Sequence, residues 1–300
     1  MKRALLALLM LVVGLGAAAY LFVDPPRLLS WADAVAGGGR GVEQAADGVP
    51  FGTHGQRLDV WRPAGPVTRR PVLVFFHGGG WVHGSRGAYA FAGRAFARAG
   101  FVVVVPDYRK VPAVRYPAFL QDNAQAMRWV QDHVAAYGGD PGRVAIAGHS
   151  AGGYTVAMLA LDPRWLRAAG VAPGFVKAGV GLCGPYDFFP FRKERAIDAF
   201  RGVADGPDTQ PINHAGAAAP PLLLISAGAD TQVGAHNAVN LTARLRAVGA
   251  PVIHLDHPGL SHESIVMALS VPFRGRAPVL AESVAFLRRA LKEAGAGSRP

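Results

Sequence analysis

The stretch Arg143-Val144-Ala145-Ile146-Ala147-Gly148-His149-Ser150-Ala151-Gly152-Gly153-Tyr154 decides how the whole chain is read. Val144 to Ala147 is an apolar run with the character of a strand buried on both faces. Gly148-His149-Ser150-Ala151-Gly152 follows, and Tyr154 to Leu161 suits a helix. Strand, turn and helix around G-x-S-x-G make a nucleophile elbow, a turn so sharp that only glycine fits two residues before and after the serine. The serine hydroxyl is thereby presented at the carboxyl end of a strand and at a helix N-terminus, where the helix dipole favours developing negative charge. In a chain with 38 glycines the pattern alone decides little, so the segments on either side carry the argument.

Upstream, Leu58-Asp59-Val60-Trp61 alternates like an edge strand, and Val72–Phe76 and Phe101–Val105 read as buried strands. Downstream, Ala178–Cys183, Leu222–Ser226 and Val252–Leu255 are three more. Helices fit Ala88–Ala99, Pro117–Tyr137, Ala151–Leu161, Ala235–Val248 and Ala277–Ala294. Strands that alternate with helices give an α/β class, a mostly parallel sheet covered on both faces. Ligands then gather outside the carboxyl ends of the strands.

At 300 residues the chain has ample length for a core, and with only 17% charged residues it is not disordered. Cys183 is the single cysteine, which excludes internal disulfides and a cysteine-based metal site. The net charge of +11 is scattered over the sequence, with basic pairs such as Arg69-Arg70 and Arg288-Arg289 rather than long runs, so no nucleic-acid partner is expected. Lys2-Arg3 precede the uncharged apolar stretch Ala4 to Val23, twenty residues, enough to span a hydrocarbon core of about 30 Å. Residues 1–23 are therefore expected to be a signal anchor, or a signal peptide cleaved near Ala17-Ala18-Ala19, with the catalytic domain outside the cytoplasm (periplasmic in a bacterium). Residues 24–48 read as a linker with a short helix, punctuated by Gly37-Gly38-Gly39, and the domain is expected over 49–300.

A serine nucleophile needs a base, a carboxylate that orients the base, and donors for an oxyanion. His77-Gly78-Gly79-Gly80-Trp81 follows the strand Val72–Phe76, and its side-chain-free backbone can approach a substrate closely. The alternative reading as a phosphate cradle lacks the downstream lysine of a P-loop. Asp230 follows Leu222–Ser226 through Ala227-Gly228-Ala229 and is the expected acid, ahead of Asp187, Asp205 and Asp208. His262, expected on a loop after the last strand, is the chosen base, with His257 as the alternative. The remaining histidines, 149 among them, read as surface or structural positions. Arg109 reads as bracing the oxyanion loop through an acid such as Asp122.

The order Ser150, Asp230, His262 is that of the α/β-hydrolases. Together with His77–Trp81, Asp107-Tyr108-Arg109, Gly228-Ala229-Asp230 and Gly259–His262, it makes the chain resemble the hormone-sensitive-lipase and bacterial esterase/lipase group, including its kynurenine-formamidase-like members. The resemblance covers roughly residues 55 to 295. It implies an eight-stranded sheet, an oxyanion hole from the N–H groups of Gly79, Gly80 and Ala151, and acyl transfer without metal or organic cofactor. Where the hormone-sensitive-lipase pattern continues Leu-Ala-Pro-Glu, this chain has Lys110-Val111-Pro112-Ala113, which points to relatives with a small cap.

Between Gly184 and Pro220 the chain leaves the sheet, and an excursion of this length is usually functional, here a lid over about 185–219. Its opening is rich in aromatics, and Tyr186 and Phe188 with Trp81 and Tyr154 are expected to wall an apolar pocket. The expected activity is hydrolysis of small or medium apolar esters. The alternatives are arylformamide hydrolysis on the same triad, or a membrane-anchored binding protein on an inactive hydrolase fold.

Overall fold

The computed structural model describes residues 24–296. Eight strands form one sheet in the order β1-β2-β4-β3-β5-β6-β7-β8. They are β1 (Val42–Phe51), β2 (Gln56–Pro63), β3 (Arg70–Phe76), β4 (Val102–Pro106), β5 (Gly139–His149), β6 (Val176–Leu182), β7 (Leu222–Ala227) and β8 (Val252–His257). β2 runs antiparallel to both β1 and β4, and every later pairing is parallel. This is the mostly parallel eight-stranded α/β-hydrolase sheet that the sequence implied.

The strands are apolar on both faces because both faces are covered. Along β3, Val72, Val74 and Phe76 join a core on one side, while Leu73 and Phe75 join the core on the other. Helices α2 (Ala90–Arg98) and α9 (Val279–Ala296) cover the Leu73 face; α3 (Ala118–His133) and α4 (Ala151–Leu161) cover the Val72 face. The central strand β5 lies between β3 and β6 with Val144–Ala147 wholly buried, so its end is the best-supported point on the carboxyl edge.

Two expectations need correction at the N-terminal side. The short helix expected within 24–48 is present as α1 (Pro25–Val35), but the remainder is not a linker, because β1 joins the sheet. Leu29 of α1 and Phe51 of β1 enter the cores, and polar contacts fix α1 in place. Ser30 Oγ donates to the Ala88 carbonyl (2.8 Å) and accepts from the Phe91 N–H (3.1 Å). Asp33 pairs with Arg94 at 2.8 Å, both buried. Secondly, β2 is not an edge strand, because β1 covers its outer side. The polar member of its alternation, Asp59, is buried and satisfied by the Gly48 N–H and by Arg86. The expected membrane span or signal sequence over 1–23 lies outside the described residues. Among the described residues no helix is long and apolar enough to cross a membrane.

The excursion after β6 contains α6 (Glu194–Ala199) and two 3-10 turns, Pro207–Thr209 and Pro211–His214. The short α5 (Pro163–Ala168) and the longer α7 (His236–Ala247) also precede β8, and α8 (His262–Met267) follows it.

Candidate active site

At the end of β5 the backbone turns at Ser150 with φ 56° and ψ −119°. A non-glycine residue in such a region costs on the order of 1–3 kcal/mol. The turn is held by Ser150 N–H to the Leu182 carbonyl (2.9 Å) and Tyr154 N–H to the Ser150 carbonyl (3.0 Å). Gly148 and Gly152 are required by contact rather than by φ. A Cβ on Gly148 would overlap the Gly152 carbonyl, and one on Gly152 would overlap the Phe76 carbonyl.

Asp230 sits beyond β7, where Gly228 and Ala229 N–H groups bond to the carbonyls of His257 and Leu260. Its Oδ1 accepts from the N–H groups of Gln232 and Val233, each at 2.8 Å. That leaves Oδ2 to accept from His262 Nδ1 at 2.6 Å. Burial raises the Asp230 carboxyl, but the His262 bond and the two backbone N–H groups outweigh it, and the net shift is downward. The group is held as a carboxylate.

His262 is the first residue of α8 and not a loop residue as expected. Ser261 caps that helix reciprocally with Ser264, so the base is fixed by a capping box and not by a free loop. Because Asp230 can only accept, Nδ1 of His262 carries its proton. Nε2 then accepts from Ser150 Oγ at 2.8 Å. The three residues expected to act together are thus joined by one hydrogen-bond chain. His257, the alternative base, turns away to Glu282 at 2.9 Å. Of the rival acids, Asp187 accepts from Asn240 and Asp208 pairs with Arg164.

Gly79 (φ 123°), Gly80 (φ 60°) and Trp81 (φ 63°) form the tight loop after β3. The Gly79 carbonyl is used by the N–H groups of Val82 and His83. Among the described residues the N–H groups of Gly79, Gly80 and Ala151 donate to no protein acceptor. The loop rests on the segment 107–111. Tyr108 stacks on His77 (4.3 Å between centroids) and donates to its carbonyl (3.2 Å), and Val111 N–H reaches the Trp81 carbonyl (2.9 Å). Arg109 holds that segment by forking onto buried Asp122, at 2.8 Å for Nη2.

With the geometry in view, the chain can be set against known proteins. Residues 58–245 match the family model BD-FAE. The chain belongs to the BD-FAE family. The Mycobacterium tuberculosis esterase LipC is 36% identical over 232 residues, covering 69% of this chain and 56% of LipC. The chain thus spans about half the length of such curated relatives. Among solved structures, an esterase of Pyrobaculum calidifontis superposes with a TM-score of 0.71 at 23% identity, covering 88% of this chain and 92% of that one. EstE1, a carboxylesterase cloned from a metagenomic library, gives a TM-score of 0.71 at 22% identity over 89% and 98% of the two chains.

The expected pocket residues of this BD-FAE domain do not all meet. Trp81 stacks on Phe188 (6.1 Å) and meets Tyr154 edge-on (5.5 Å). Tyr186 is elsewhere, in a core with Leu222, Leu224, Ala238 and Leu241. Its N–H and that of Asp187 both donate to Asn237 Oδ1, at 2.8 and 2.9 Å, which ties this segment to α7. Phe119 and Phe200, unremarked in the sequence, complete the aromatic group around Trp81.

His149 was also passed over. It is buried, bonds the His262 carbonyl (2.9 Å) and Tyr89 Oη (3.2 Å), and its pKa is lowered to about 3 by burial and then by the neighbouring His262. Burial, then the Lys110 charge, lowers that of His77 to about 4. Both folded values lie below the ordinary 6.5. The stability these neutral rings contribute is therefore complete above about pH 6.5 and is lost as pH falls towards 4 and 3, at up to ~1.4 kcal/mol per pH unit for each. Urea midpoints measured from pH 7 to pH 4 are expected to fall steadily, and less steeply in His149→Gln. A flat profile would contradict this assignment.

Proposed function

We propose that the chain is a serine carboxylesterase acting on short-chain esters through an acyl-enzyme. The observation that carries the reading is the bonded series Ser150–His262–Asp230, beside which the N–H groups of Gly79, Gly80 and Ala151 have no protein acceptor among the described residues. As Ser150 Oγ attacks the ester carbonyl carbon, its proton passes to His262 Nε2, and the imidazolium is stabilised by Asp230. The carbonyl oxygen gains the negative charge between the N–H groups of Gly79, Gly80 and Ala151, and donors of this kind are each worth about 10²–10³ in rate. Collapse expels the alcohol, which takes the proton from His262. Water then repeats the sequence on the acyl-enzyme and releases the acid. The esterase names carried by LipC and its kin favour an ester over a formamide.

Burial supports the short-chain assignment. Trp81 is 5% exposed, Tyr154 0% and Phe200 2%, so this wall is closed and only Phe188 yields part of its surface. Tyr154 is further tied by its hydroxyl to the Thr209 carbonyl at 2.9 Å. On p-nitrophenyl esters, kcat/KM is expected to fall at least about tenfold from butanoate to octanoate, and Phe188→Ala is expected to recover much of that loss. An octanoate rate equal to the butanoate rate in the parent enzyme would refute a closed acyl wall.

A further inference from the structure

We infer that His149 is a positioning residue that sets the main chain of His262 against the nucleophile and the oxyanion loop. The inference rests on the proposed roles of Ser150 and His262. It concerns how those groups are held, not which they are.

His149 directly precedes the nucleophile, so its backbone is fixed by the same turn that presents Ser150. Its ring leaves that turn and lies against the ring of His262, 4.8 Å between centroids. From there Nε2 lies 2.9 Å from the carbonyl oxygen of His262. A carbonyl only accepts, so Nε2 carries the proton. The ring is wholly buried and stays neutral at working pH, so Nδ1 is then a bare acceptor. Tyr89 Oη, 3.2 Å away, must be the donor to it. The tautomer is therefore dictated by its two partners.

This pair of side chains also supports the oxyanion loop. A Cβ placed on Gly78 would lie 2.8 Å from Tyr89 Oη and 2.9 Å from His149 Nδ1, so the loop is seated directly on them. One ring thus touches the three parts whose spacing governs acyl transfer: the nucleophile's turn, the backbone of the base and the root of the oxyanion loop. Asp230 fixes the direction in which His262 points; His149 fixes where its main chain stands. The N-terminus of α8 has no other bond across to β5 among the described residues except that between the His262 and Ser150 side chains.

The test is steady-state kinetics on p-nitrophenyl acetate with His149→Leu, His149→Gln and Tyr89→Phe, alongside melting temperatures. Displacement of a reacting group by about 1 Å costs on the order of 10² in rate. Leucine, which cannot donate, is expected to lower kcat by about that factor with KM nearly unchanged. Glutamine, whose Nε2 can take the place of the imidazole donor, is expected to restore most of kcat. Tyr89→Phe keeps the shape of the site if the leucine variant fails to fold, and it is expected to lower kcat several-fold by freeing the His149 tautomer. A kcat within threefold of the parent in folded His149→Leu would overturn the inference, as would equal losses in the leucine and glutamine variants or an unchanged kcat in Tyr89→Phe. Ser150→Ala, run in parallel, separates this outcome from failure of the esterase reading, since only that failure leaves its rate equal to the parent's.

Discussion

Ser150→Ala is expected to abolish ester hydrolysis, lowering kcat by about 10⁶, the loss typical when a triad nucleophile is removed. No other group in the site can replace it. The nearest alternative nucleophile, Cys183, is buried, and burial pushes its thiol far above the ordinary range, so it carries no thiolate at neutral pH. The loss is not expected to reflect unfolding. Among the described residues the Ser150 side chain has a single partner, His262 Nε2, and the turn itself is held by backbone bonds that alanine preserves. Hydrolysis of p-nitrophenyl acetate and thermal melting, measured on the same preparation, check both halves. Turnover within tenfold of the parent would place the chemistry elsewhere.

Asp230→Asn should be the next most damaging change, at about 10⁴ in kcat. The size follows from orientation. In the parent, Oδ1 takes the Gln232 and Val233 N–H groups and Oδ2 takes His262 Nδ1–H. An asparagine must keep its carbonyl oxygen on the two backbone donors, because its NH₂ cannot accept them. The NH₂ then faces Nδ1 and forces the proton to Nε2, where it blocks removal of the serine proton. Lost stabilisation of the imidazolium adds to the effect. Pre-steady-state acylation rates with p-nitrophenyl acetate read this step directly, and a loss below about tenfold would show that the carboxylate does not set the tautomer.

Most of this architecture was readable because the relevant signals are local. A strand buried on both faces shows as an apolar run, and the elbow and the loop after β3 declare themselves by glycines. At Gly148 and Gly152 the constraint is the approach of another backbone; at Gly79 and Gly80 it is positive φ. What escaped was held by long-range polar contacts. A short helix was legible at α1, but not its docking, which rests on Ser30 and Asp33 with partners some sixty residues away. β1 is half-buried and irregularly registered against β2. Tyr186 was grouped with Phe188 by proximity in sequence, yet Asn237 diverts it to another core. In the sequence His149 reads only as a surface or structural position. Nothing in the sequence says that its partner is the carbonyl of His262, 113 positions on.

The account stands or falls on Ser150 as the group that becomes acylated. Treating the intact protein with a fluorophosphonate and mapping the product by peptide mass spectrometry tests this most directly. One equivalent of label is predicted on the tryptic peptide Val144–Arg164, at Ser150, with none taken up by Ser150→Ala. Folded parent protein that remains unlabelled, or label found on another residue while Ser150 stays free, would contradict it.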